Sequence, residues 1–310
     1  MEKIIDAIDR KLLKSELSNE KLIRNTQRSN NQIFSITYHN SPNVMLEIGR
    51  LREISYRQTK SGTGKKCDID SLDTAEKVYN QLIVWDPNAE EIIGGYRYII
   101  CRNAALDENK VPQIGTARLF NFSENFIENF IPYTIELGRS FVQPQYQSTK
   151  NIRKSLYALD NLWDGLGALV VIYPEMKYFL GQVSIYTHIN KLARDLIVFF
   201  LRKYFPDNDK LVEAINPVSL HNKEEKIAAY FTGKDLKSNM SILSHEVRAL
   251  KERVPPLINT YINTSPSMKT FGTVHNPFFD NMEDTGILIS IKDIYESKKD
   301  RYIKTFRNSY

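Results

Sequence analysis

The sequence predicts a mixed α/β fold: a central sheet of mixed strand direction, with one bulged strand splayed from its neighbour and helices on both faces. Three observations predict it. Residues 81–101 hold two strand-like runs joined by Asp86-Pro87-Asn88, a turn signal, and read as an antiparallel hairpin. Residues 134–205 alternate strand, helix, strand and helix, so a crossover joins parallel neighbours. The strand opening at Thr134 carries Glu136, Gly138 and Arg139 between the apolar residues Ile135, Leu137, Phe141 and Val142. Its flanks mark it as buried or half-buried. A glycine inside a strand often marks a bulge.

The elements follow in chain order. Residues 1–30 form an N-terminal segment. Over 1–28 it reads as an amphipathic helix, because Ile4, Ile5, Ile8, Leu12, Leu13 and Leu17 recur at helical spacing among charges. Such a helix packs on its own domain, mediates dimerisation or lies on a membrane. Residues 31–205 form the core. Residues 33–38 alternate as a strand, and 44–56 return to helical spacing through Val44, Ile48, Leu51 and Ile54. Residues 58–70 are expected as a mobile loop. Its Ser61-Gly62-Thr63-Gly64-Lys65-Lys66 lacks both the spacing of a phosphate loop and a buried strand before it. After the hairpin and the charged strand come a helix over 151–172, closed by Pro174, a strand over 178–185 and a helix over 188–205. Residues 206–310 continue the same fold as a C-terminal extension. It has an irregular stretch over 206–232, a helix over 241–253, another from Pro255-Pro256, strands at 270–275 and 286–291, and a basic tail after Lys298 expected to fray.

The charges inside the sheet pose the functional question. Ionised groups in a sheet are costly unless paired. Residues three apart on a strand face opposite ways, so Glu136 and Arg139 share a pocket only if a bulge near Gly138 resets the alternation. Arg97, in the second hairpin strand, is another charge among apolar neighbours. Either these groups brace one another, or they meet a substrate.

Composition excludes several classes. With 310 residues, 42% hydrophobic and 25% charged, the chain is ordinary for a globular protein. The longest apolar run, near 196–201, is far too short to span a bilayer, and the first residues contain no apolar signal core. Cys67 and Cys101 follow no motif spacing and are expected as free thiols in a reducing cytoplasm. The five histidines are scattered, so no metal site is expected. A net charge of +5 permits an acidic partner or an anionic membrane surface, while the lack of a lysine-arginine block or RNA-binding signature argues against nucleic acid.

Several segments agree in order with one family. Glu53-Ile-Ser-Tyr-Arg57 precedes Asp70-Ser-Leu-Asp73, then Gln81–Asp86 with Gly94-Gly-Tyr-Arg97, then Ile135–Val142, then Tyr178–Ile185. The segment Pro255–Ile294 follows, with Asn276-Pro-Phe-Phe279 and Asp284-Thr285. Over about residues 45–294, apart from 206–250, this order resembles the GNAT-fold N-acyltransferases related to acyl-homoserine-lactone synthases. The nearest branch makes ornithine and glycine lipids and is often labelled hemolysin-like.

The resemblance implies a GNAT-like fold and an acyltransferase with no bound cofactor. The donor would be acyl carrier protein or acyl-CoA carrying a fatty, 3-hydroxyacyl group. The acceptor would be the amine of glycine or ornithine. It assigns catalysis to Glu136, as base or amine-orienting residue, and Arg139. It assigns substrate contact to Arg57, Asp70, Asp73, Arg97, Ser140, Phe141 and Val142, with Asp70 and Asp73 clustered with Arg57 and Arg97. The loop from Gln143 to Arg153 lacks the glycines by which acetyl-CoA-dependent GNATs present amides to a pyrophosphate. Lys150, Arg153 and Lys154 therefore meet the carrier's single phosphate or its acidic surface, or form a solvated helix end. Phe120, Phe122, Phe126, Phe130 and Tyr133 wall the acyl chain or pack as core. Ser184, with no histidine-aspartate pair placed for it, reads as a strand hydroxyl. The alternatives are a lactone-forming signal synthase and a non-catalytic GNAT-fold protein peripheral to the membrane; the extended 255–294 segment favours the lipid branch.

Overall fold

The computed structural model describes residues 1–147, 152–279 and 282–307, with the backbone alone for 152–156 and 307. Its strands are β1 (Leu22–Asn25), β2 (Gln32–Ile36), β3 (Asn80–Asp86), β4 (Glu91–Ile100), β5 (Phe120–Phe122), β6 (Thr134–Val142), β7 (Tyr178–Tyr186), β8 (Val212–Ala214), β9 (Lys269–His275) and β10 (Met282–Ser290). Eight of them form one sheet in the order β1-β2-β3-β4-β6-β7-β10-β9, and β5 pairs with β8 apart from it. All neighbours in the large sheet are antiparallel except β6 and β7. The α-helices that precede β9 are α1 (Arg10–Glu16), α2 (Pro42–Gln58), α3 (Ser71–Thr74, a single turn), α4 (Glu124–Asn129), α5 (Ile152–Ile172), α6 (Lys191–Tyr204), α7 (Glu224–Ala228), α8 (Leu236–Ala249) and α9 (Pro256–Ile262).

Alternation along the strands splits the core into two layers. On β3, Leu82 and Val84 face α5, α6 and α8, whereas Ile83 and Trp85 face α2. β9 and β10, from the C-terminal segment, complete the same sheet as β1–β4, β6 and β7. None of the described helices is long and apolar enough to cross a membrane.

The chain departs from expectation in three places. Helix over 1–28 shrinks to Arg10–Glu16; before it, Glu2 and Ile5 donate backbone bonds to Gly64 and Lys66, and after it Leu22–Asn25 joins the sheet against β2. Hydrogen bonding to an existing edge outweighs the apolar spacing there. As far as Phe306 the tail is packed and not frayed: Tyr302, Ile303 and Phe306 are buried, and Tyr302 packs on Trp163 of α5. The loop over 61–64 is tied down, because the Thr63 and Gly64 amides and the Thr63 hydroxyl donate to the buried Glu53 carboxylate. Its glycines wrap a carboxylate of the protein itself, with Gly62 and Gly64 at positive φ of 115° and 72°.

β6 carries the bulge. Gly95 of β4 faces Phe141, but Arg97 faces Gly138, so two steps on β4 span three on β6. The left-handed residue is Arg139, at φ 51°, not Gly138. Past it the alternation is reset: Glu136 and Phe141 both lie on the α2 side of the sheet. β6 then leaves β7. Their parallel pairing covers Thr134–Leu137 against Tyr178–Gly181 and stops there.

Candidate active site

Where β6 and β7 part, a cavity of about 740 Å³ passes through the sheet. Its two ends differ in chemistry because they lie on opposite faces. On the α2 side it is lined by Arg97, Thr116, Glu136, Arg139, Ser184 and Asp284. On the α5 side it is lined by Leu137, Leu159, Leu162, Leu166, Val183 and Tyr261. Strand alternation sorts the β6 and β7 side chains between the two ends, and α5 and α9 add the remaining apolar residues. The bulged edge from Gly138 to Val142 runs along the cavity without a strand partner on that side. α2 fixes the other side of that edge: the Tyr56 hydroxyl donates to the Ser140 carbonyl at 3.1 Å and the Ser55 hydroxyl to that of Val142 at 3.2 Å.

An arginine-aspartate network backs the polar end. Asp70 caps α3, and its partner in the capping box is Asp73. Arg97 Nη1 lies 2.8 Å from Asp70 and 3.3 Å from Asp73. Arg139 Nε lies 3.1 Å from Asp68, and its Nη2 lies 3.7 Å from Asp70. Arg118 Nη1 is 3.5 Å from Asp70. Burial raises the Asp70 carboxyl, but Arg97, Arg139 and Arg118 outweigh it and hold the group well below the ordinary range. Asp73 is likewise raised by burial and lowered further by Arg52 and Arg97. Arg97, which burial alone would discharge more easily, is kept charged by Asp73 and Asp70.

Glu136 sits beside this network, 3% exposed. It accepts hydrogen bonds from the Tyr79 hydroxyl, the Gly115 amide at 3.1 Å and the Thr116 amide at 2.6 Å. The Tyr79 ring in turn lies under the Arg97 guanidinium, 4.9 Å from its centroid. Glu136 and Arg139 therefore line one cavity, linked through Tyr79, Arg97 and Asp70.

Arg57 does not join the cluster. Its guanidinium bonds Glu53 and the carbonyls of Glu2 and Lys65. Arg52 takes the place expected of it: fully buried, it lies 3.3 Å from Asp73 and donates to Gln81 at 2.5 Å, while Gln81 donates to Asp73 at 2.9 Å. The reason is helical geometry. Arg52 follows Ile48 by four residues and so falls on the buried stripe, whereas Arg57 is turned away from it. That spacing was the available signal for Arg52. Ser140, Phe141 and Val142 line the cavity. Lys150 lies outside the described residues, and Arg153 and Lys154 stand in the first turn of α5 by their backbone alone. The aromatics from Phe120 to Tyr133 do not line the cavity; Phe126 stacks with Phe130 and packs at an angle against Phe122 and Phe271 in a separate core layer.

Sequence reasoning also passed over Asp284. It faces Ser184 across the β7–β10 register and is 4% exposed. The Ser184 hydroxyl donates to it at 2.5 Å and the Asn276 amide at 2.6 Å. Burial raises its carboxyl above the usual range, despite those bonds and the Arg139 charge.

A model of the acetyltransferase (GNAT) domain matches residues 51–156. A glycine N(alpha)-acyltransferase of Phocaeicola vulgatus is 49% identical over 306 residues, covering 99% of this chain and 94% of that protein. A glycine N(alpha)-acyltransferase of Bacteroides thetaiotaomicron is 48% identical over 310 residues, covering all of this chain and 92% of that protein.

Proposed function

The chain belongs to the GNAT-type acyltransferase family that includes these two proteins, and from that premise we propose that it transfers a fatty acyl group from a carrier thioester to the amine of glycine, in glycine-lipid synthesis. The observation that carries this reading is the cavity through the sheet, polar on one face and apolar on the other. An acylated amino acid has that same division. The fatty chain fits among Leu159, Leu162, Leu166 and Tyr261, and the amino acid fits among the charges. The pantetheine arm, rich in amides, would lie along the open edge of β6 as an added strand does. The unpaired edge beside the bulge offers N–H donors to the oxyanion that forms as the amine attacks.

The residue roles follow from what each group already binds. Arg139 would hold the acceptor's carboxylate, with the Thr116 hydroxyl beside it; that hydroxyl is buried and has no hydrogen-bond partner among the described residues. Arg97, Asp70 and Asp73 would keep Arg139 in place. Glu136 is proposed as an orienting residue, since its oxygens already take three donors. The donor is proposed to be acyl carrier protein, with Lys150, Arg153 and Lys154 as contacts for its phosphate and acidic surface.

The test is expression in a bacterium followed by mass spectrometry of lipid extracts. New N-acyl glycine species, lost in a folded Arg139→Ala variant, are the expected result. Unchanged lipids alongside abundant acyl donors would refute the assignment.

A further inference from the structure

We propose that Asp284, framed by Ser184 and Asn276, binds the ammonium of the amino-acid acceptor and removes its proton. This assignment rests on the acyl-transfer reading above.

The acids at the polar end of the cavity differ in what neutralises them. Asp70 and Asp73 are neutralised by arginines at 2.8 to 3.3 Å. Asp68 has Arg139 at 3.1 Å. Glu136 takes two backbone amides and a phenol. Asp284 differs from all of them. Among the described residues it has no ion pair, and its only hydrogen-bond donors are a neutral hydroxyl and a neutral amide. A carboxylate has about four acceptor positions, so part of its capacity is unused. It is buried, yet it lines the cavity. A buried acid with no cation of its own is costly unless a cation arrives. An amino-acid ammonium is such a cation.

Placement agrees with the rest of the site. Ser184 and Asp284 lie on the strands beyond the point where β7 leaves β6, opposite the bulge that carries Arg139. An acceptor with its carboxylate at Arg139 and its ammonium at Asp284 spans the mouth of the gap where the thioester would lie. Ser184 and Asn276 fix the carboxylate's two oxygens, so the group is held in orientation before substrate enters. Its raised proton affinity narrows the gap to an ammonium, which suits proton acceptance.

The step balances. Asp284 takes one proton from the ammonium, leaving a neutral amine. The nitrogen lone pair forms the C–N bond to the thioester carbonyl, and the C–S bond breaks with its electrons on sulfur. The second nitrogen proton goes to the departing thiolate. Asp284 then returns its proton to solvent, and the products are the amide and the free thiol.

Among the described residues, the titratable groups near Asp284 include Arg139 on β6, Glu283 on β10, held by Arg194 of α6, and His275 on β9, which pairs in register with Glu283. The test uses purified full-length protein, a fatty acyl thioester of acyl carrier protein, and glycine, with thiol release and amide product both followed between pH 6.5 and 9.5, a range set by about three decades of free amine. Asp284→Asn keeps the shape and removes the charge. It should lower kcat/KM for glycine by roughly 10²-fold near neutral pH. The deficit should shrink as rising pH supplies free amine, and binding of the acyl donor should stay unchanged. Ser184→Ala, a smaller change, should give the same pattern at reduced size. A folded Asp284→Asn within about twofold of wild type overturns the assignment. So does a loss that is equal at every pH and extends to donor binding. Wild-type protein that neither releases thiol nor forms amide with glycine overturns the acyl-transfer reading and this assignment with it.

Discussion

Arg52 illustrates what one buried charge does in this protein. Arg52 and Asp73 are both fully buried and depend on each other. Arg52→Ala leaves Asp73 with Arg97 as its one arginine among the described residues and leaves the Gln81 side-chain oxygen without its donor, and should cost about 3–5 kcal/mol, measured as a shift in urea midpoint. Glu136→Ala strands the Thr116 amide and takes the acceptor from the Tyr79 hydroxyl, while the Gly115 amide keeps only its bond to Tyr79, so activity and stability should fall together. Acid provides a second test. Asp70 is held below its ordinary range, so its contribution to stability is complete above about pH 4 and is lost as pH falls from there through its folded value. The urea midpoint should therefore drop more steeply below about pH 4 in wild type than in Asp70→Asn. At this scale the sequence was legible where a charge interrupts an apolar strand, as at Glu136, Arg139 and Arg97. It was less legible where a charge sits on a helical stripe, as at Arg52. Asp284 carried little signal, because an acid near a strand end also suits solvent. Its burial follows from β7 pairing with β10, where Ser184 stands a hundred residues away in sequence.

At the level of elements, β6 decides the site. A bulge was readable from the parity conflict between Glu136 and Arg139. Its position was not: the glycine pointed to Gly138, while the left-handed residue is Arg139. A side chain can adopt that conformation at a cost, and the ion pairs with Asp68 and Asp70 offset it. Gly138 has ordinary space around it. A methyl added there would lie 3.5 Å from Arg97, so Gly138→Ala should fold and retain activity. Gly94 has no such space. A methyl there would lie 2.5 Å from the Phe141 carbonyl, so Gly94→Ala should force β4 from the bulged edge, costing about 1–3 kcal/mol with a larger loss of turnover. Thermal melts and turnover of the two variants, measured side by side, separate these outcomes. The N-terminal helix was over-read for a related reason. Apolar spacing is compatible with several backbones, and only the neighbouring β2 edge selects a strand for Leu22–Asn25.

Across the whole molecule, the sheet works as a partition with one opening. The hairpin, the crossover and the C-terminal strands were legible because each has its own periodicity. The opening was not, since it arises from the place where β6 and β7 stop pairing. The apolar end of the cavity also combines α5 with α9, about a hundred residues later in the chain, a span counted from the sequence. If the acyl chain lies there, Leu159→Trp should shift preference toward shorter chains, by about tenfold in kcat/KM between long and short donors. The central claim is that acyl thioester and amine meet in the gap between β6 and β7. A crystal structure with a non-hydrolysable acyl-pantetheine thioether tests it most directly. The expected result is the pantetheine along the open edge of β6, the sulfur beside Gly138–Phe141 and the chain running toward Leu159 and Leu166. A ligand bound outside the gap, with β6 and β7 empty between, would contradict it.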